Sequence, residues 1–175
     1  MSIGTVAEQQ ARTCGECGLC CKLLAVEALG KPAHTWCDHF AAKTGCAIYE
    51  RRPDACRAFR CLWLDQTALG AEWKPNRSHI VLHLAAGENQ LIATVDPEHP
   101  EAWKRKEYHA LLRDWAERGL ADGFQVIVKV GPRIVAIMPD RDIDLGEFAE
   151  DERVRFARVR TPEGIGLVAR RVPAE

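Results

Sequence analysis

Short apolar runs separated by turn-forming residues dominate the second half of the chain. Three pairs of such runs each flank a short turn: 78–86 with 90–95, 124–130 with 133–138, and 154–160 with 164–172. The runs are rich in β-branched residues, and two such runs on either side of a turn favour antiparallel pairing. The pattern therefore predicts three β-hairpins.

The stretch between the first and second pairs has a helical pattern instead. Asp96 and Pro97 provide helix-start chemistry, and large apolar residues then recur at roughly helical spacing until Gly119 or Gly123. This pattern predicts one helix of about five turns. Combined with the hairpins, it predicts an α+β fold in which an antiparallel sheet is covered by one main helix.

The first third of the chain is distinguished by its cysteines. All eight precede residue 62: Cys14, Cys17, Cys20, Cys21, Cys37, Cys46, Cys56 and Cys61. Because the longer remainder contains none, the asymmetry indicates one local construction. We predict a loop-rich cysteine module at residues 1–75, packed against an α+β region at residues 76–175 in one globular unit.

Charge and hydropathy narrow the class of protein. The 175 residues include 24 Lys and Arg against 25 Asp and Glu, a formal net charge of -1, which lacks the basic excess of a nucleic-acid-binding surface. No run approaches the roughly 18 apolar residues of a membrane span, and the N-terminus lacks a secretory signal pattern. We therefore expect a cytoplasmic protein with no nucleic-acid or membrane partner.

The cysteine spacing is typical of metal ligands. In Cys14-x2-Cys17-x2-Cys20 the two-residue spacers let the sulfurs turn toward one centre, and Gly15 and Gly18 permit the dihedrals that such a turn requires. A reducing cytoplasm also favours metal binding over disulfides. We predict that all eight cysteines are metal ligands in one or two thiolate-held centres.

Two cysteine pairs leave the grouping open. Neighbouring side chains diverge, so Cys20 and Cys21 either serve two different centres or leave one of the pair without a metal. A helix from Pro53 through Trp63 would place Cys56 and Cys61 about 140° apart around its axis. Either that helix stops early or these two cysteines serve separate centres.

The metal also remains open at this point. One or two zinc ions suit paired cysteine sets in a structural module, whereas CxxCxxC with a remote cysteine is typical of a [4Fe-4S] cluster. Either centre would be anionic, and we hypothesise that nearby arginines compensate it: Arg51, Arg52, Arg57 and Arg60. His34 and His39 flank Cys37 and could complete a mixed Cys/His site if one cysteine is spare, but they are interpreted as exposed loop residues. His79 and His83 are interpreted as ordinary sheet residues.

The cysteine pattern as a whole resembles a known family. CGECGLCC, then Cys37, then GCAIYERRPDACRAFRC from Gly45 to Cys61, is similar to the CxxCxxCC cysteine-cluster family of bacterial proteins, also called YkgJ-like and described as zinc- or iron-chelating. The resemblance covers residues 14 to 63 and implies the eight cysteines as ligands.

The same resemblance bears on enzymatic activity. A flagellin lysine methylase is similar in its own cysteine cluster, so a [4Fe-4S]-containing redox or protein-modifying enzyme is kept as an alternative, with a protein partner left open. The sequence offers no catalytic constellation and no G-x-G-x-x-G loop for a nucleotide. We therefore predict metal binding and assign no reaction.

Overall fold

The protein combines a mixed β-sheet with one main helix and several short helices. The computed structural model describes residues 12–85, 87, 89–149, 151–162 and 164–173. The first 11 residues of the expected cysteine module lie outside this range, as do turn residues Glu88 and Glu163 of two expected hairpins. The α+β prediction with one main helix is confirmed.

The central sheet has five strands in the order β3-β4-β5-β6-β7. Its strands are β3 (Ile80–Leu84), β4 (Gln90–Val95), β5 (Gln125–Val130), β6 (Arg133–Ile137) and β7 (Asp142–Glu147). Neighbours pair antiparallel except β4 and β5, which are parallel because the chain crosses from one to the other through the main helix. β7 was not predicted, since its sequence DIDLGE carries too few apolar residues to indicate a strand.

The third predicted hairpin forms a separate two-stranded sheet. Its strands are β8 (Glu152–Thr161) and β9 (Gly164–Pro173), and they pair antiparallel along their full length. Two smaller strands of the cysteine module, β1 (Phe40–Ala41) and β2 (Gly45–Cys46), also pair with each other. The three predicted hairpins are therefore present, although only two of them contribute to the central sheet.

The main helix, α5 (Lys106–Gly119), is shorter than predicted. A 3-10 turn at Ala102–Lys104 precedes it, and Arg105 between the two has extended dihedrals that interrupt the helix. Tyr108, Leu112 and Ala116 on one face of α5 are buried against the sheet. This spacing of four residues repeats every turn and defines the apolar stripe that covers one side of the sheet.

The cysteine module contains only short helices. These are α1 (Leu19–Leu23), α2 (Asp54–Ala58), α3 (Leu62–Asp65) and α4 (Pro75–Ser78). The helix expected from Pro53 through Trp63 is interrupted, because Phe59 has ψ 121° and Cys61 has ψ 151°. Of the two alternatives left open by the sequence, the early end of this helix is therefore observed.

Strand β3 separates the two parts of the core. Ile80 and Leu82 join the core under α5, whereas Val81 packs with Leu19, Leu23 and Cys61 of the cysteine module. Successive side chains of a strand point to opposite faces, so α5 and the cysteine module cover opposite faces of β3. A buried ion pair between Lys22 of α1 and Asp96, with 2.9 Å between Nζ and Oδ1, adds a second attachment.

None of the helices in the described ranges is long and apolar enough to cross a lipid bilayer.

Candidate metal centre

All eight predicted ligands line one cavity. Its volume is about 190 Å³, and its remaining wall is mainly apolar, formed by side chains such as Leu24, Val26, Phe40 and Ile48. Each cysteine is a free thiol; Cys61 is buried and the other seven are half-buried. The structure thus brings together every cysteine that the sequence indicated as a ligand.

Glycines allow the cysteine-bearing loops to approach closely. Gly15 has φ +51° inside the turn closed by the hydrogen bond from Cys17 N to Cys14 O at 2.9 Å. Gly45 has φ +83°, and a Cβ there would lie 2.4 Å from the Gly15 carbonyl oxygen. Only glycine fits this contact, which holds the loop containing Cys46 against the loop containing Cys14.

One group of four cysteines surrounds one end of the cavity. Cys14, Cys17, Cys20 and Cys61, named set A, also line a smaller cavity of about 20 Å³ with Trp63, Leu64 and Pro75. Burial raises the pKa of Cys61, and the neighbouring Cys14 and Cys17 raise it further. Backbone N–H groups of Leu64 and Trp63 act in the opposite direction at Cys61, as do those of Leu19 and Asn76 at Cys17.

The other four cysteines form a second group. They line the cavity of about 190 Å³ but not the smaller one. Burial raises the pKa of Cys56, and the charges of Cys21, Cys37 and Cys46 raise it further. These four cysteines are named set B. A hydrogen bond from Cys37 N to Cys21 O at 3.1 Å and the β1–β2 pairing hold Cys37 and Cys46 in place.

Sets A and B meet at Cys20 and Cys21. The Cys20 thiol donates a hydrogen bond to Cys21, which lowers the pKa of Cys21 to about 7 and raises the pKa of Cys20. Lys31 and Arg52 also lower the pKa of Cys21. Cys20 and Cys21 therefore lie at the boundary between the two sets. Cys61 belongs to set A and Cys56 belongs to set B.

The cysteine sulfurs of the described residues form no group of three at the spacing that one zinc ion requires. Among the described residues, which include all eight cysteines, no three sulfurs lie within 4.8 Å of one another. A tetrahedral zinc with Zn–S bonds of about 2.3 Å holds its sulfurs about 4 Å apart. In a [4Fe-4S] cluster each thiolate binds a different iron, so its four sulfurs lie farther apart.

Positive charge reaches the cavity from fewer arginines than the sequence indicated. Arg52 lines the cavity. Burial raises the pKa values of Cys14 and Cys56, and the Arg52 charge acts against this rise. The same charge lowers the pKa of Cys21. The Arg60 charge also lowers the pKa of Cys14. Arg60 forms an ion pair with Asp65 as well, with 2.7 Å between Nε and Oδ1.

The other two arginines are not among the residues that line the cavity. Arg57 donates hydrogen bonds to the Arg52 and Glu50 carbonyl oxygens and shapes the loop, and Arg51 is exposed. The hypothesis that arginines compensate the centre therefore concerns Arg52 and Arg60.

Sequence reasoning missed the buried cation Lys31. Its side chain lines the cavity, and its Nζ donates hydrogen bonds to the carbonyl oxygens of Leu24, Pro32 and Lys22. Burial lowers the pKa of Lys31, while the nearby cysteines raise it. A lone lysine in a loop gives no pattern in a single sequence, so only the folded structure could have indicated this residue.

We expect replacement of Lys31 by methionine to weaken metal retention about tenfold or more, as is typical when a group around the ligands is lost. Methionine keeps an apolar stem of similar length but removes the charge that compensates the thiolates. The measurement is the metal content that remains after competition with a chelator. Lys106→Met, at an exposed position of α5, is the matched control, and equal retention in the two variants would contradict the role of Lys31.

Histidines lie outside the cysteine cavity. Neither His34, which is exposed, nor His39 is among the residues that line it. His83 is half-buried with its ring 5.5 Å from Phe59, and its Nδ1 is buried without a hydrogen-bond partner. The interpretation of His83 as a sheet residue agrees with its position in β3.

His79 has a different environment from the one that the sequence indicated. It precedes β3 instead of lying within it, and its ring stacks on His99 with 3.6 Å between centroids. His79, Asp96 and His99 form the group of potential ligands in the described ranges whose donor atoms all lie within 4.8 Å of one another. The Asp-Pro-Glu-His run at residues 96–99 was the available signal, but Asp96 was interpreted as a helix start.

Comparisons with known protein families, with curated proteins and with solved structures find no match to this chain. The similarity to the CxxCxxCC family therefore rests on the cysteine motif and its spacing alone.

Proposed function

We propose that this is a metal-binding protein whose cysteine module holds two thiolate-ligated iron–sulfur centres. The observation that carries the proposal is the convergence of all eight cysteines on one cavity with apolar walls. Free thiols at this density, with cations beside them and no disulfide, suit ligands of a soft metal centre. They also suit a reducing compartment, and we place the protein in the cytoplasm for that reason.

The two centres follow the division of the cysteines. Set A would hold one centre and set B the other, because four thiolates complete the ligand set of one cluster. Cys20 would then bind one centre and Cys21 the neighbouring centre. The two adjacent cysteines would not have to bind the same metal centre.

Iron–sulfur centres fit the geometry better than mononuclear zinc. The sulfurs are too widely spaced for three of them to bind one zinc ion without moving closer together. Buried thiols with raised pKa values would lose their protons on binding, and Lys31 and Arg52 would offset the resulting negative charge.

Anaerobic purification followed by elemental analysis tests this proposal. We expect a brown protein that contains iron and an equal amount of acid-labile sulfide, because iron–sulfur clusters absorb visible light whereas zinc has a filled d shell. Colourless protein with stoichiometric zinc would keep the metal-binding function and reject the iron–sulfur assignment. Native protein that contains neither zinc nor iron would reject both.

The second candidate function is a redox or protein-modifying component that acts on a partner protein. Two aromatic side chains beside the cavity favour it: Tyr49 lines the cavity and is 44% exposed, and Trp36 is 46% exposed while it stacks on the cavity residue Phe40. Exposed aromatic residues are enriched where proteins dock. A cluster this close to the surface could exchange electrons with a partner bound there.

A further inference from the structure

A second group of metal-ligand residues lies at one end of the central sheet, apart from the eight cysteines. His79 directly precedes β3 and Asp96 directly follows β4, and the antiparallel register pairs Ile80 with Val95. The next position of that register places His79 beside Asp96. The turn after β4 then brings His99 to the same place, so that one donor atom from each residue lies within 4.8 Å of the others.

Backbone hydrogen bonds fix the three residues before any ligand binds. The Asp96 amide donates to the His79 carbonyl oxygen at 2.9 Å, and the His99 amide donates to the Asp96 carbonyl oxygen at 2.8 Å. His79 has φ +61° because it is the left-handed C-cap of α4, where its amide donates to the Pro75 carbonyl oxygen at 2.9 Å. The end of α4 and the start of β3 therefore set the position of His79.

The carboxylate of the group is buried and accessible to the imidazoles. Asp96 is 3% exposed, and its Oδ2 lies 3.7 Å from His99 Nδ1. Lys22 Nζ contacts both Asp96 oxygens, at 2.9 and 3.1 Å. Because Glu98 also contacts Lys22, at 2.7 Å, the ammonium keeps a second carboxylate partner when Asp96 shares an oxygen with a metal.

The donor set has a defined chemical preference. Two imidazoles and one carboxylate form the ligand set of non-haem iron sites and of some zinc sites, and carboxylate donors also suit Mn²⁺. Manganese binds oxygen and nitrogen donors in preference to thiolates, so the two kinds of site in this protein differ in the metal they prefer.

We propose that His79, Asp96 and His99 bind one divalent transition metal, at a site separate from the cysteine centres. Three protein ligands leave further coordination positions for water or a small anionic ligand. The site does not depend on the iron–sulfur proposal, because it uses no cysteine. Lys22 connects the two regions, since it follows Cys21 in α1 and contacts Asp96.

Mn²⁺ titration of the protein as purified, followed by electron paramagnetic resonance of the free ion, tests the site. We expect about one Mn²⁺ per chain and at least tenfold weaker binding in His79→Asn and in His99→Gln, because each variant removes one of three ligands. Asparagine tolerates the left-handed backbone of residue 79, which keeps the fold of that variant.

His109→Gln is the matched control. His109 contacts Asp142 at 2.8 Å in a histidine–carboxylate pair that belongs to no three-ligand group in the described residues, so its loss should leave Mn²⁺ binding unchanged. Thermal unfolding without Mn²⁺ checks that the variants remain folded. No saturable binding by the wild type up to about 1 mM Mn²⁺, or equal binding by all four proteins, would overturn the proposal.

Discussion

Replacing Cys61 by serine should remove about half of the bound iron, and replacing Cys56 should remove the other half. The reason is that Cys61 lines the smaller cavity with the other members of set A, whereas Cys56 belongs to set B, which we propose holds the second centre. Serine is close to cysteine in size but does not supply the soft thiolate that these centres need. Iron and sulfide analysis of the two variants and of the double variant measures the effect.

Each variant serves as the control for the other. Because the two cysteines are only five positions apart and both contribute to the same cavity, a general loss of structure should affect the two variants alike. Complete loss of metal in one variant with full retention in the other would contradict two centres and indicate a single one. Full retention in both would contradict the assignment of these cysteines as ligands.

Removal of the metal should unfold the cysteine module and leave the central sheet folded. The helices of this segment have at most five residues, well below the length at which a helix is stable alone. Its apolar core against β3 is small, consisting of Leu19, Leu23, Cys61 and Val81 with a few partly buried neighbours. Structural zinc contributes about 10–16 kcal/mol to the folding of zinc-finger peptides. We expect the loss of the proposed centres to dominate the stability of this module in the same way.

Hydrogen exchange of the protein with and without a strong chelator measures this effect. We expect amides in residues 12–65 to lose protection, while those of β3–β6 and α5 keep it. The core under α5 contains no cysteine, and the cysteine module contacts the sheet through Val81 of β3. The metal-free Cys56→Ser, Cys61→Ser double variant is the control, since chelator should not change its exchange further. Unchanged exchange in the wild type would show that the module folds without metal.

Local sequence patterns predicted the strands that consist mainly of apolar residues. The apolar, β-branched runs at 90–95, 124–130 and 133–138 identified β4, β5 and β6, because these strands are buried and flanked by turn residues. Strand β7 escaped prediction because it lies at the sheet edge and half of its residues are exposed. The parallel pairing of β4 with β5 also escaped, because nothing local distinguishes a crossover from a hairpin connection.

The eight cysteines of the candidate site could be predicted from their residue type and their spacing along the chain. Their division into two sets could not be predicted, because it depends on how the loops fold around Gly15 and Gly45. Lys31 acts on the cysteines through space, and His79 meets Asp96 through strand register. Contacts of this kind depend on tertiary structure, which a single sequence does not display.

The alternation along β3 has a consequence for how the chain can change. Residues 80 and 82 face the helix-covered core and residue 81 faces the cysteine module, so three consecutive positions take part in two different cores. A substitution at either outer position should disturb the scaffold, whereas one at the middle position should disturb the packing of the cysteine module.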